Sequence, residues 1–280
     1  MTEKVLIVGC GDLGAELAHQ LQAQGLVPIG LRRSLVVDST FECVQADVTQ
    51  PSSLANISKF NPDFVVYCVA ATAQTDENYR QHYVEGLRNV LSALDSASNL
   101  KHVFFVSSTR MYGQVTDDLL DENTTPQNMD FGGQRLLEAE GLLHHAGKSW
   151  THTALRLTGI YGPGRNRMLT LAANPVSWPT QNAWTNRIHR DDAAGFIVHL
   201  INMHIRGQSV QDCYVVTDSS PVSQYEVLRW IVQQKGMKVE DKIPEVNGGK
   251  RMSNQRMLAT GFGLQYPDYK VGYSAMLDMA

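Results

Sequence analysis

Apolar and polar residues recur along this chain in two periods, and the switching between them outlines the fold. Val5-Leu6-Ile7-Val8 is an unbroken apolar run, and Leu13, Leu17, Ala18 and Leu21 follow at helical spacing. Further strands are predicted at Val27–Leu31, Cys43–Ala46, Phe64–Ala70, His102–Val106 and Thr153–Leu157. The Phe64–Ala70 run has no polar alternation, as expected of a strand covered on both faces. Helices are predicted between them. One is opened by Thr49-Gln50-Pro51, a long one covers 77–97 with Tyr83, Leu87, Val90, Leu91 and Leu94 as its stripe, and another covers 133–146. Strand and helix alternate through the first 160 residues, the pattern of a parallel sheet with helices on both faces.

After Tyr161-Gly162-Pro163-Gly164 the pattern changes. Residues 164–187 show little periodicity and read as irregular. Helices follow at Ala193–Met203 and Ser223–Lys235, with a strand at Cys213–Thr217. Pro244–Asn254 reads as a loop and Leu258–Gly263 as a short helix ending at glycine. The fold class is therefore α/β: a doubly wound parallel sheet from 1–160 and 188–216, with a small C-terminal mixed α/β substrate lobe from 161–187 and 217–280.

Composition narrows the class without adding chemistry. With 43% hydrophobic and 19% charged residues, the 280-residue chain reads as a soluble globular protein. A net charge of −4 gives no general attraction to nucleic acid or anionic membranes, so neither is expected as a partner. No apolar run reaches the roughly 20 residues of a membrane span. Met-Thr-Glu-Lys leads straight into a core strand, so no signal peptide is expected. Cys10, Cys43, Cys68 and Cys213 have no C-x-x-C spacing and read as buried thiols, so the expected location is cytoplasmic. No His/Cys/Asp/Glu cluster has metal-ligand spacing, and His144-His145 suits a helix C-terminus, so no metal is expected.

Chemistry enters at Gly9-Cys10-Gly11-Asp12-Leu13-Gly14, a G-x-G-x-x-G turn between strand and helix. There Gly9 permits the bend, Gly11 lets a pyrophosphate approach the backbone, and Gly14 lets helix and strand pack closely. The N–H groups and positive dipole end at the helix start face the phosphates. The alternative is a sharp turn with no ligand. The second strand ends Arg32-Arg33-Ser34, with no acid where NAD's ribose is usually read. Two cations and a hydroxyl suit a 2′-phosphate, so NADP is favoured over NAD; the alternative is solvated arginines. Asp47-Val48 either meets the adenine or, through Asp47, caps the next helix.

Several short segments, in this order, resemble the extended short-chain dehydrogenase/reductase superfamily, in its NAD-dependent epimerase/dehydratase branch. They are the glycine turn, Ala46-Asp47-Val48, Val69-Ala70-Ala71, Val106 to Gly113, Leu155 to Gly164, and Arg187-Ile188-His189-Arg190-Asp191-Asp192. The resemblance implies a Rossmann sheet binding NAD(P), a substrate lobe, and cofactor contacts at Val69, Ala70, Ala71 and Thr158. Ser108, with Thr109 beside it, matches the hydroxyl that polarises a substrate oxygen. The family's Tyr-x-x-x-Lys register, however, falls on Phe131-Gly132-Gly133-Gln134-Arg135. Phenylalanine exchanges no proton, while Arg135 is left to hydrogen-bond the nicotinamide ribose.

Tyr112 and Tyr161 follow sheet strands and are substitute acid/base candidates, provided Arg110, Arg156 or Arg165 lowers their pKa; otherwise they pack. On the substrate side, Arg165 and Arg167 either hold an anionic group or are solvated. Arg187 and His189 belong to a motif resembling the family's substrate-side support, with a structural histidine as the alternative. Asp117, Asp118, Asp121 and Glu122 read as a surface loop or a lid. The 164–187 insert is shorter than in nucleotide-sugar enzymes, which speaks against a UDP- or dTDP-sugar. Two functions remain: an NAD(P)-dependent oxidoreductase or epimerase/dehydratase-like enzyme for a small, sugar-derived or anionic substrate, or a non-catalytic NAD(P) sensor. Helices 77–97 and 133–146 correspond to the dimer face of related proteins, which implies a homodimer.

Overall fold

The computed structural model describes residues 2–34, 40–144, 149–237 and 243–278. Seven strands form a parallel sheet: β1 (Lys4–Val8), β2 (Val27–Arg32), β3 (Glu42–Gln45), β4 (Phe64–Tyr67), β5 (His102–Ser108), β6 (Thr151–Leu157) and β7 (Cys213–Val216). Their order is β7-β6-β5-β4-β1-β2-β3. The chain builds outward from β1 in one direction and from β4 in the other, so the topology reverses between these two strands. In open α/β sheets, ligands bind beyond the strand ends at that switch point. The glycine turn after β1 and Val69-Ala70-Ala71 after β4 flank it.

Flanking helices include α1 (Asp12–Ala23), α2 (76–93), α3 (Phe131–His144) and α4 (Arg190–Ile205). Helix α1 buries Leu13, Leu17, Ala18 and Leu21, the predicted stripe. Helix α2 is composite, running Asp76–Tyr79, a π-helical stretch Arg80–Glu85, then Gly86–Ala93, so it ends before the predicted Ala97. Within the widened stretch the buried Tyr67 hydroxyl donates to the His82 carbonyl. Such π turns interrupt otherwise regular helices. Residues 145 and 146 of the predicted 133–146 helix lie outside the described residues.

Other predictions are corrected by side chains and tertiary pairing. Thr49-Gln50-Pro51 opens two 3₁₀ turns, Pro51–Leu54 and Ile57–Phe60, instead of an α-helix. There the Ser53 hydroxyl bonds the Asp47 and Gln50 carbonyls and competes with helical hydrogen bonding. Strand β4 stops at Tyr67, so Val69–Ala71 are loop. The segment 164–187 is not irregular: it holds a helix at Arg167–Ala172, a 3₁₀ turn at Pro175–Ser177 and a strand at Asn182–Thr185. That strand pairs with Val222–Ser223 and Val246–Gly249, which puts a strand inside the predicted 244–254 loop. The predicted 258–263 helix lies earlier, at Gln255–Ala259, and Tyr269–Asp278 adds a helix that periodicity did not reveal.

The chain divides into two compact units. The first comprises Met1–Gly113, Gln127–Arg156 and Ala194–Tyr214; the second comprises Gln114–Pro126, Leu157–Ala193 and Val215–Ala280. These bounds differ from the sequence boundaries for local reasons. Leu119–Leu120 pairs with Arg251–Met252, which assigns 114–126 to the second unit. Arg187–His189 pairs with Gly159–Tyr161, which carries 188–193 there too. Inside the second unit, Tyr161, Leu169, Leu228, Ile231, Tyr273 and Met276 are among the residues of its core.

Candidate active site

In the first unit, β1 ends at a turn whose geometry requires its glycines. Gly9 has φ 94°, and a Cβ there would lie 2.6 Å from the Val69 nitrogen. A Cβ at Gly14 would lie 2.9 Å from the Gly9 carbonyl oxygen. Gly11 differs: it is exposed, and its Cβ would meet only the Gly9 oxygen, at 4.0 Å. The turn is thus packed tightly behind and open in front. Helix α1 starts here with no side-chain cap, and Asp12 is exposed while Leu13 is buried beneath it. An open, uncapped helix start with glycines at the close approaches fits a dinucleotide pyrophosphate.

Around the turn, Arg32 is half-buried at the end of β2 and Arg33 is exposed. Asp47 accepts from the Thr49 N–H at 2.9 Å and hydroxyl at 2.8 Å. Burial works to raise its carboxyl, but these bonds outweigh it and hold Asp47 below the usual carboxylate range. Its side chain bonds within its own turn, to Thr49, and does not cap the 3₁₀ turn that starts at Pro51, whose N-cap residue is Gln50. Val48 is buried, and its carbonyl accepts from Asn89 at 2.9 Å.

Beyond β5, the Ser108 hydroxyl accepts the Arg110 N–H at 3.2 Å, while Thr109 is buried. The buried Ser107 hydroxyl has no hydrogen-bond partner among the described residues. Tyr112, a predicted acid/base candidate, is fully buried. Arg156 donates to its hydroxyl, as the cation argument required, yet burial wins and pushes the phenol up to about 12. Tyr112 is therefore a packing residue. Arg135 also departs from expectation: it makes bonds of 2.7 and 2.9 Å to Asp76 and one of 2.8 Å to Glu138, so carboxylates hold its guanidinium.

What surrounds Phe131 was not legible in the sequence. Arg110 lies over its ring at 5.0 Å and over the Tyr79 ring at 4.8 Å. The Tyr79 and Phe131 rings meet edge to face at 5.5 Å. Arg110 is fixed by Asp130, through Nε at 2.9 Å and Nη2 at 2.8 Å, and by Gln74 at 2.7 Å. Its Nη1 donates to the Tyr79 hydroxyl at 2.5 Å. A phenol held by a cation thus stands beside the residue that replaces the family tyrosine. The only sequence hint was a tyrosine early in the helix after β4.

In the second unit, two of the four predicted substrate-side groups, Arg187 and His189, are buried. Arg187 is buried, bonds Thr185 at 2.5 Å and lies over the Tyr269 ring. His189 is buried and accepts from the Asp191 N–H at 3.2 Å; its ring stacks on Tyr266 at 3.7 Å, the structural alternative. Tyr161 is buried with its hydroxyl unpartnered among the described residues, and burial raises it far above the phenol range, so it is no base. Thr158 is buried and bonds Thr217 at 3.1 Å. Arg167 is exposed and Arg165 half-buried. The Asp117 carboxylate accepts from the Trp184 indole and Glu122 from the Val215 N–H, both at 2.6 Å, while Asp118 is exposed and Asp121 caps its own turn. Among the described residues no group of three or more His, Cys, Asp or Glu side chains is placed to hold a metal, and no helix is long and apolar enough to cross a membrane.

Comparison with known proteins agrees with this architecture. A solved structure from Methylobacillus flagellatus, provisionally assigned as an NAD-dependent epimerase/dehydratase, is 48% identical with a TM-score of 0.92, covering 100% of this chain and 99% of its own. Protein YeeZ of Escherichia coli (strain K12) is 26% identical over 95% of this chain and 97% of its own length. The fold is shared with UDP-glucose 4-epimerase of Thermus thermophilus, solved with NAD, at 19% identity, a TM-score of 0.79 and 98% coverage of both chains. The profile of the NAD dependent epimerase/dehydratase family matches residues 5–215. With that match over most of its length and the glycine turn at the switch point, the chain belongs to the NAD-dependent epimerase/dehydratase family of NAD-binding enzymes.

Proposed function

We propose that this protein is an NAD(P)-dependent oxidoreductase or epimerase/dehydratase-like enzyme whose acid/base group is Tyr79 in place of the family tyrosine. The observation that carries this is the 2.5 Å hydrogen bond from Arg110 to the Tyr79 hydroxyl, beside Phe131. Arg110 thus sets a guanidinium against the phenol oxygen, in the place that the lysine of Tyr-x-x-x-Lys would fill. Tyr79 is itself buried, and Arg110, 28% exposed, is its link to the surface.

Gly9, Gly11, Asp12, Leu13 and Gly14 would hold the pyrophosphate, with Val69, Ala70 and Ala71 beside it. Arg32 and Arg33 would take a 2′-phosphate, which favours NADP. When bound, the nicotinamide supplies a hydride acceptor or donor. Ser108 polarises the substrate oxygen, and Tyr79 takes or returns that oxygen's proton. Arg165 and Arg167 are the proposed contacts for an anionic substrate group. The test is NADPH and NADH oxidation at 340 nm against a panel of small carbonyl compounds and sugar derivatives. Turnover supports the enzyme; tight cofactor binding with none moves the assignment to a sensor. That second reading is favoured by Phe131 and by the occupation of Arg135 with Asp76 and Glu138. Light scattering tests the homodimer through α2 and α3, which requires twice the chain mass.

A further inference from the structure

The cysteines around the glycine turn are placed for a chemistry that the proposed reaction does not use. Gly30, inside β2, pairs in register with Cys43 on the edge strand β3. A Cβ at Gly30 would lie 2.9 Å from the Cys10 sulfur and 3.0 Å from the Cys43 sulfur. Both sulfurs thus crowd the space that a side chain at Gly30 would fill, and their thiols are in hydrogen-bond contact. Cys10 is the middle residue of Gly9-Cys10-Gly11, so one sulfur belongs to the turn itself.

We propose that Cys10 and Cys43 are an oxidation site, converted by a hydroperoxide into a disulfide that weakens dinucleotide binding. The second half of this inference rests on the turn being the dinucleotide site. Cys43 is half-buried, whereas Cys10 is 1% exposed, so Cys43 is the point of entry. Burial pushes the Cys10 thiol up to about 12, which agrees with Cys43 being oxidised first. Cys68 is the less suitable partner, because its thiol donates to the Gly9 carbonyl at 3.3 Å.

The Cys43 thiolate attacks the terminal peroxide oxygen, the O–O bond breaks, and the leaving alkoxide is protonated to an alcohol. Cys43 is then a sulfenic acid. The Cys10 sulfur, giving up its proton, displaces hydroxide from it, and the S–S bond forms as water leaves. Two thiols lose two electrons; one hydroperoxide becomes an alcohol and water. Bonded sulfurs stand about 2.05 Å apart, well inside non-bonded contact. The turn or β3 must therefore shift to close the bond. Gly9 is wedged against the Cys68–Val69 backbone, and the Gly9 and Cys10 N–H groups both donate to the Leu31 carbonyl, so the turn cannot move without loosening its phosphate-facing geometry. Linkage makes the effect reciprocal: bound dinucleotide opposes the disulfide by the same factor.

The test treats the cofactor-free full chain with cumene hydroperoxide, maps disulfides by mass spectrometry of unreduced peptides, and titrates NADPH by fluorescence before oxidation, after it, and after dithiothreitol. A Cys10–Cys43 linked peptide is expected, with NADPH affinity roughly tenfold weaker and restored by reduction. Cys43→Ser should bind NADPH like wild type and no longer respond to peroxide. A Cys10–Cys68 linkage, no linkage, or unchanged affinity in the linked protein overturns the proposal. Failure of the reduced protein to bind NADPH instead overturns the dinucleotide reading of the turn, while the peptide map still reports the thiol pair.

Discussion

Arg156 donates to both carboxylate oxygens of Glu140, at 2.7 to 3.2 Å, in a pair almost closed to water. The same guanidinium donates to the Tyr112 hydroxyl at 2.5 Å, so one buried cation ties together α3, β6 and the segment after β5. Burial works against the charge, but the Glu140 bonds dominate and keep Arg156 firmly protonated. This explains why Tyr112 is a structural residue despite its place near Ser108.

Removing one member strands the other. Glu140→Ala should lower unfolding stability by about 3–5 kcal/mol, the cost of an uncompensated buried charge. Urea denaturation measures it. Tyr112→Phe should cost about 1–3 kcal/mol and leave NADPH affinity unchanged; a loss of affinity would return Tyr112 to the site.

The glycine turn separates folding from binding. Gly11→Ala should keep wild-type thermal stability, since its Cβ meets open space, and lose NADPH affinity. Gly9→Ala should be destabilised at φ 94° with a backbone contact at 2.6 Å. Calorimetric melting and fluorescence titration of both variants check the pair.

The contrast between Gly9 and Tyr79 shows how far sequence reading reached. The turn declares itself because strand, glycines and helix are consecutive in the sequence, although the contact that fixes Gly9 comes from the distant Cys68–Val69 backbone. Arg110, Tyr79 and Phe131 come from three different elements, and only tertiary packing brings them together. Arg32 stands at the end of β2, whereas Arg187 and His189 turn inward: their motif fixes the backbone, not the side-chain surroundings. The short strands within 164–187 and 244–254 are held by pairing with each other, so local periodicity does not reveal them.

Acid should destabilise the first unit through His102. Burial pushes its imidazole down to about 3, and it bonds Thr151 at 2.6 Å and Thr153 at 3.0 Å. His152 and His204, which face it, are also lowered, chiefly by burial. The unfolded chain therefore binds more protons between about pH 6.5 and 3, and stability falls as pH drops through that window. His102→Gln should flatten this slope in urea titrations between pH 7 and 4.

Asp218 should act with the opposite sign. It is 1% exposed, and burial raises its carboxyl to about 7, partly countered by Arg187. The folded state holds its proton longer than the unfolded one, so stability falls as pH rises from about 4 to 7. Asp218→Asn should exceed wild type by about 2–4 kcal/mol at pH 8 and match it below about pH 4. Equal stability at pH 8 would show that the carboxylate is compensated.

With Phe131 in the family's tyrosine position, Tyr79 is the proposed proton-transfer group. The decisive experiment compares the 340 nm turnover of Tyr79→Phe with that of wild type, on whichever carbonyl substrate wild type reduces, with NADPH affinity determined in parallel. A loss of about 100-fold or more in kcat with cofactor affinity intact is expected, the usual worth of a general acid. Turnover within a few-fold of wild type would contradict the assignment of Tyr79.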